Sequence, residues 1–219
     1  MQAVIFDMDG VIVDTNPHHR LAWRDYYARY GKELSDADFV RYVSGKHNDA
    51  ILAHLFAGQP LPADARRLAD EKEALFREIY RPVIQPVAGL VPFLGSLRAA
   101  GIRTAVATSA PVENLDFVVD ALGLRPYFDV LLDESQVGRP KPDPEIYRLA
   151  MTRLGARPAD SVVFEDSVTG IRAAKSADAV VVGVATTEPP DTLRPLVDDV
   201  IRDFTEMNLD RLRGLVKVF

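Results

Sequence analysis

Two pairs of acidic residues, each directly after a short apolar run, are where the sequence concentrates its chemistry. Asp7 and Asp9 follow Ala3–Phe6 within Phe6-Asp7-Met8-Asp9-Gly10-Val11, and Glu165 and Asp166 end Val162-Val163-Phe164-Glu165-Asp166-Ser167. Gly10 loosens the turn, so carboxylates two residues apart can point into one pocket. Four carboxylates at the ends of two strands repel one another strongly without a cation among them. Oxygen ligands of this kind suit a hard octahedral ion such as Mg²⁺. A structural Asp-Gly turn is the alternative for the first pair taken alone, but a polar pair so near an apolar strand is costly unless it is used.

Two further elements stand at strand ends. Thr108 and Ser109 follow Thr104–Ala107. A hydroxyl and main-chain N–H groups there can hold a phosphate oxygen near the helix that Pro111 begins, or can simply cap that helix. Lys141 lies in Gly138-Arg139-Pro140-Lys141-Pro142-Asp143-Pro144, a loop stiffened by three prolines. Its ammonium can neutralise a phosphate or the charge on a reacting carboxylate, or it can be an ordinary solvated loop lysine.

The elements that must position these residues alternate along most of the chain. Ala3–Phe6, Thr104–Ala107, Val130–Leu132, Ser161–Phe164 and Ala179–Val184 read as strands buried on both faces, the mark of a parallel sheet covered by helices. Between them the spacing predicts helices: one with Leu90, Phe93, Leu94 and Leu97 that stops at Gly101, one from Pro111 to Gly123, and one from Pro144 to Gly155. The expectation is an α/β domain with a doubly wound, Rossmann-like parallel sheet, formed by residues 1–15 and 82–219. Residues 16–81 break the rhythm and predict an inserted helical cap. Asn16 and Pro17 start a helix with Trp23, Tyr26, Tyr27 and Tyr30. Pro62 opens a second through Tyr80, with Arg66, Arg67, Asp70, Glu71 and Glu73 on a charged face. A final amphipathic helix is expected after Asp203, carrying Met207, Leu209, Leu212 and Leu215.

Bulk properties narrow the field. The chain has 219 residues, 47% of them hydrophobic, which suits one large domain or one domain with a smaller insertion. A net charge of −6 argues against a nucleic-acid partner. The absence of cysteine excludes disulfides and thiolate chemistry within it. No apolar run reaches the ~20 residues of a membrane span, and the first residues lack the make-up of a signal peptide. A cytoplasmic monomer is expected.

Asp7-x-Asp9-Gly10-Val11, Thr108, Lys141-Pro142-x-Pro144 and Glu165-Asp166-Ser167-x-x-Gly170-Ile171-x-Ala173-Ala174 stand in the order and spacing of the four motifs of the haloacid dehalogenase-like hydrolases. The chain resembles that family from its N-terminus to about Val184. The helical insertion resembles the small cap of the subgroup that includes β-phosphoglucomutase and many sugar-phosphate phosphatases. The resemblance implies that Asp7 is the nucleophile and Asp9 the general acid and base. It places Mg²⁺ on Asp7, the main-chain carbonyl of Asp9 and Asp166, with Glu165 helping directly or through water. Thr108 and Lys141, with Ser109 beside them, hold the transferring phosphoryl group. True haloacid dehalogenases lack a second acid at the position of Asp9, which speaks against carbon-centred displacement. All four carboxylates are present, which speaks against a non-catalytic relative. A two-component receiver domain, doubly wound and with a similar pocket, has no helical insertion after its first strand.

The same resemblance sets His19 at a cap-hinge histidine and Lys72 near a cap lysine. Either can contact substrate, or lie on a solvated helix face. The loop Val43-Ser44-Gly45-Lys46-His47-Asn48-Asp49 corresponds to the substrate-reading loop. Mutase-like relatives place an arginine there for a second phosphate, whereas this chain has His47 with Lys46 beside it. Losing a bidentate guanidinium weakens such a site. The expected activity is therefore a Mg²⁺-dependent phosphatase acting on a small phosphate ester, through an aspartyl-phosphate. A phosphosugar mutase is the alternative, with pyrophosphatase and phosphonoacetaldehyde hydrolase further off.

Overall fold

A computed structural model describes residues 2–43, 46, 48–57, 60–61 and 64–216. The chain divides into two units, Thr15–Val83 and the combination of Met1–Asp14 with Ile84–Phe219.

The first unit is helical, with α1 (Asn16–Arg29), α2 (Asp36–Asp38), α3 (Asn48–Leu55) and α4 (Ala65–Tyr80). Apolar residues repeat at helical spacing, so each long helix presents one side to a shared core. Trp23, Tyr26 and Tyr27 of α1 meet Leu68 and Leu75 of α4, with Ile51, Leu52 and Leu55 of α3. Thr15 takes the cap position of α1, so Asn16 is already helical and Pro17 falls in the first turn. Pro62 lies outside the described residues. Asp64 caps α4 by accepting from the Arg66 N–H at 2.9 Å. The charged face expected for α4 is interrupted, because Lys72 and Glu73 are 1% and 6% exposed. Their side chains pair at 2.8 Å, and the Asn48 amide donates to the same Glu73 oxygen at 2.9 Å.

The second unit holds six parallel strands: β1 (Ala3–Phe6), β2 (Arg103–Ala107), β3 (Val130–Leu132), β4 (Ser161–Glu165), β5 (Val180–Val184) and β6 (Asp199–Ile201). Their order is β3-β2-β1-β4-β5-β6. β6 is absent from the sequence expectation. Three residues at a sheet edge, one of them acidic, carry too little apolar pattern to be seen. The covering helices are α5 (Leu90–Ala99), α6 (Val112–Ala121), α7 (Glu145–Leu154), α8 (Val168–Ser176), α9 (Pro190–Leu193) and α10 (Leu209–Leu215). The expected tail helix is split into a turn at Phe204–Glu206 and α10, which Asn208 caps.

Strand residues alternate between two covered faces. Phe6 and Phe164 project to one, where their rings stack at 5.2 Å and meet Phe93 and Phe204. Ala3, Ile5, Ala105, Ala107 and Val163 project to the other, against Tyr147 of α7 and Ile171 of α8. Strand order reverses direction between β1 and β4. Ligands of open parallel sheets bind beyond the carboxyl ends of strands at such a switch point, and β1 and β4 are the strands that lead into the paired acids.

The buried Lys72–Glu73 pair makes a prediction about acid stability. Burial would raise the Glu73 carboxyl, but the Lys72 ammonium beside it and the hydrogen bonds from Lys72 and Asn48 outweigh that and lower it from 4.5 to about 2. A lowered folded pKa gives stability that is full above about 4.5 and lost as pH falls toward about 2. Glu73→Gln removes the carboxylate that compensates the Lys72 ammonium, at a cost of about 3–5 kcal/mol near neutrality. The stability gap between wild type and variant, followed by thermal unfolding, is expected to close through that acid window. A gap independent of pH would show that the pair is not what holds the charge.

Candidate active site

The pleat of the sheet builds the site. Asp7 continues β1, its N–H bonded to the Phe164 carbonyl at 3.0 Å. Its side chain thus falls on the face of Ile5, as Glu165 falls on the face of Val163. Ile5 and Val163 are paired in register, so the two carboxylates come level. Lys141 arrives from the loop after β3. That loop is braced by Glu145, whose carboxylate accepts from the Gly138 and Arg139 N–H groups, both at 3.1 Å.

The Lys141 ammonium is buried and has four oxygen acceptors. It donates to Asp7 Oδ1 at 2.7 Å, Glu165 Oε1 at 2.8 Å, the Tyr147 hydroxyl at 2.8 Å and the Ala107 carbonyl at 3.1 Å. Tyr147 in turn donates to Glu165 Oε1 at 2.7 Å. The other Glu165 oxygen accepts from the N–H groups of Asp166 and Ser167 and from the Ser167 hydroxyl, at 3.0–3.1 Å. Both oxygens of Glu165 are therefore engaged in holding protein groups. Gly170 makes room for this: a Cβ there would stand 1.6 Å from Glu165 Oε1.

Asp166 comes in from the loop after β4. Thr187, beyond β5, donates its hydroxyl to Asp166 Oδ2, and Thr186 donates to the Gly10 carbonyl. Gly10 has φ +77°, and a Cβ there would lie 1.9 Å from Asp166 Oδ2. Only glycine allows both the turn and the close approach. The turn closes on itself through Gly10 N–H to the Val13 carbonyl at 2.7 Å. Asp9 stands in that turn, half exposed.

Charge in the site is out of balance. Asp7, Glu165 and Asp166 are buried and place ligand atoms within 4.8 Å of one another. One ammonium against three carboxylates leaves two formal negative charges. Burial pushes the Asp7 carboxyl up to about 7, against the pull of Lys141 and with the charges of Glu165 and Asp9 adding to the rise. Burial, with Glu165 and Asp7, raises Asp166 well above the usual carboxylate range. Lys141, hydrogen-bonded besides, keeps Glu165 low despite its burial. A buried oxygen-only donor set short of positive charge fits a hard divalent cation.

Thr108 lies beyond β2, buried, with its hydroxyl oxygen accepting from the Ala110 N–H at 3.0 Å. It thus braces the turn into α6, and among the described residues its own proton has no acceptor. Ser109 beside it is exposed. His19, Lys46 and Lys72 belong to the helical unit. Lys72 Nζ lies 2.8 Å from His19 Nδ1, whose ring stacks on Phe76 at 3.8 Å. Lys46 is exposed, and His47 lies outside the described residues. Three participants were not foreseen from sequence. Tyr147 reads as one more apolar position of α7. Thr186 and Thr187 follow a strand end, and the rule that picks out Asp7 and Glu165 applies equally to them.

The sequence model of a family described as haloacid dehalogenase-like hydrolase matches residues 1–178. The chain is 37% identical over 181 residues to a phosphorylated carbohydrates phosphatase of Thermotoga maritima, covering 81% of this chain and 82% of the relative. It is 30% identical over 223 residues to the β-phosphoglucomutase of Bacillus subtilis, covering 97% and 94%. A crystal structure of a HAD hydrolase of family IA, variant 3, from Entamoeba histolytica superposes with a TM-score of 0.92 at 28% identity, covering all of both chains.

The Tyr147 hydroxyl bridges two buried charged groups, so Tyr147→Phe takes a donor from the buried Glu165 carboxylate, while Lys141 keeps Asp7, Glu165 and Ala107 for its three N–H groups. The expected cost is about 1–3 kcal/mol of stability, read by urea unfolding. Unchanged stability would mean that the hydroxyl contributes nothing to holding the pair.

Proposed function

The chain belongs to the haloacid dehalogenase-like hydrolases, and from that premise we propose that it is a Mg²⁺-dependent phosphatase of small phosphorylated metabolites, of the sugar-phosphate class. The observation that carries the reading is the Lys141 ammonium, seated on Asp7 Oδ1 at 2.7 Å in a buried cluster that holds more carboxylates than cations. That is the environment a carboxylate nucleophile needs when its target is an anion.

In this reading an Asp7 oxygen attacks phosphorus and the ester P–O bond breaks. Asp9 gives its proton to the departing oxygen. Asp9 then takes a proton from water, which attacks the phosphorus of the aspartyl-phosphate to release phosphate and free Asp7. Lys141 holds Asp7 in place and, with Thr108 and Ser109, supports the charge on the phosphoryl oxygens. Asp7, Asp166 and the Asp9 main-chain carbonyl would hold Mg²⁺, with Glu165 behind them, since its oxygens already serve Lys141, Tyr147 and Ser167. Bound there, the ion supplies positive charge to the transferring group.

Recognition of the rest of the substrate is assigned to the helical unit, through His19, Lys46, His47 and Lys72. A single phosphate is favoured over two. In the loops that follow β1 to β5 the cations among the described residues are Arg139, exposed and paired with Asp143 and Glu145, and Lys141, already set against Asp7 and Glu165. Lys72 is likewise set against Glu73. A mutase must grip the two phosphates of a bisphosphate, and the likeness to the β-phosphoglucomutase of Bacillus subtilis keeps that reading as the alternative.

The test is phosphate release from a panel of phosphorylated sugars and polyols, with Mg²⁺ and with EDTA. β-Glucose 1-phosphate with its bisphosphate is run in parallel. Metal-dependent phosphate release is expected, with none from Asp7→Asn, because an amide cannot serve as the nucleophile. Glucose 6-phosphate formed without free phosphate would replace the phosphatase by the mutase. Asp9→Ala is expected to lower kcat about 10²–10⁴-fold on esters with poor leaving groups, while Mg²⁺ binding measured by calorimetry persists through the main-chain carbonyl. Full turnover in that variant would remove Asp9 from the proton transfers.

A further inference from the structure

The loop that leaves β5 has no part in the chemistry above, yet it touches both halves of the site. Its main chain is fixed first: the Ala185 N–H bonds to the Ile201 carbonyl at 2.8 Å and the Thr186 N–H to the Val184 carbonyl at 2.9 Å. Two consecutive hydroxyls then point back toward the carboxyl ends of the inner strands. Thr186 donates to the carbonyl of Gly10, in the turn that carries Asp9, and Thr187 donates to Asp166 Oδ2. The Asp166 oxygen is thereby held between two features. On one side is the surface of Gly10, where a Cβ would lie 1.9 Å away, and on the other is the Thr187 hydroxyl.

We infer that Thr187 is a positioning residue for the divalent cation, fixing Asp166 so that the Asp166 carboxylate meets the ion in one orientation. The inference rests on the cation assignment made under the proposed function. A carboxylate on a loop can rotate about two side-chain bonds. One of its oxygens tied to a hydroxyl fixes where the other can point, and ordering the ligand before the ion arrives lowers the cost of binding. Thr186 does the same for the neighbouring turn by holding the Gly10 carbonyl. Thr187 itself is exposed and takes no part in the apolar core beneath the site, so the isosteric valine is expected to leave the fold intact.

The experiment is isothermal titration of Mg²⁺ into the metal-free, full-length protein, with no substrate present. Thr187→Val keeps the shape and removes the hydroxyl, and is expected to weaken Mg²⁺ about 10–100-fold. Thr187→Ser keeps the hydroxyl and is expected to bind within about threefold of wild type. The thermal midpoints of the three metal-free proteins should agree. Thr187→Val binding Mg²⁺ as wild type does would overturn the inference while leaving the cation site in place. Thr187→Ser as weak as the valine variant would also overturn it, since shape rather than the hydroxyl would then matter. No uptake of millimolar Mg²⁺ by the wild type would overturn both the inference and the cation assignment beneath it.

Discussion

An ammonium group leaves water at low cost only when oxygens replace its lost hydration and a negative charge stands close by. Lys141 meets both conditions through Asp7, Glu165, Tyr147 and Ala107, and much of the sheet unit follows from that requirement. Glu165 sits at the end of a strand whose other residues are all buried, a place no carboxylate occupies without partners. Its oxygens are covered by Lys141 and Tyr147 on one side and by Ser167 and two main-chain N–H groups on the other. The first turn of α8 must therefore begin at once after β4. Gly170 is the residue in that turn that leaves space for the carboxylate. The lysine thus fixes the glutamate, the glutamate fixes the start of a helix, and the same lysine holds the aspartate that reading the site as a phosphatase makes the nucleophile.

What the lysine does not do is balance the site. Two formal negative charges remain on a cluster with little access to water, and burial raises both Asp7 and Asp166 in response. A site in this condition is poised to accept positive charge, because a cation recovers the electrostatic energy that burial took away. Asp166 carries part of that residual charge, and it and the Asp9 turn belong to two loops from two adjacent strands. Their mutual placement is narrow, since Gly10 and Asp166 approach closer than any side chain would allow. A third loop, from β5, bonds to both.

The strands and paired acids were legible because their signals are local. A short, β-branched apolar run needs no partner to be recognised, and β1 to β5 all fall within a residue of where the pattern set them. What escaped the sequence depends on neighbours far along the chain. Tyr147 looks like any core aromatic until Lys141 and Glu165 are seen on either side of its hydroxyl. Thr186 and Thr187 are two ordinary loop residues until β5 is placed beside β4. Lys72 and Glu73, adjacent in a charged segment, read as a solvated face. They are buried because Trp23 and Phe76 flank the ammonium, with the lysine 4.9 Å from the Trp23 ring centroid. Periodicity marks which face of a helix is apolar, but it does not reveal that an ion pair can be folded into that face.

Lys72 and Lys141 solve the same problem in separate units, and the comparison bears on substrate size. Each is a buried cation whose charge is met by a carboxylate 2.7–2.8 Å away. A phosphate dianion that used either lysine as its main counter-ion would have to compete with that carboxylate at contact distance. For Lys141 one of its two carboxylate partners is discharged by the proposed reaction, because Asp7 loses its negative oxygen as it bonds to phosphorus and the ammonium, still paired with Glu165, then faces the phosphoryl group. For Lys72 nothing in the chemistry discharges Glu73, which stays ionised down to about pH 2. In the proposed reading the helical unit therefore brings, at that position, a lysine already paired with a glutamate rather than a free positive charge. Such a pair is a poor site for a second phosphate, in keeping with the single-phosphate substrate proposed.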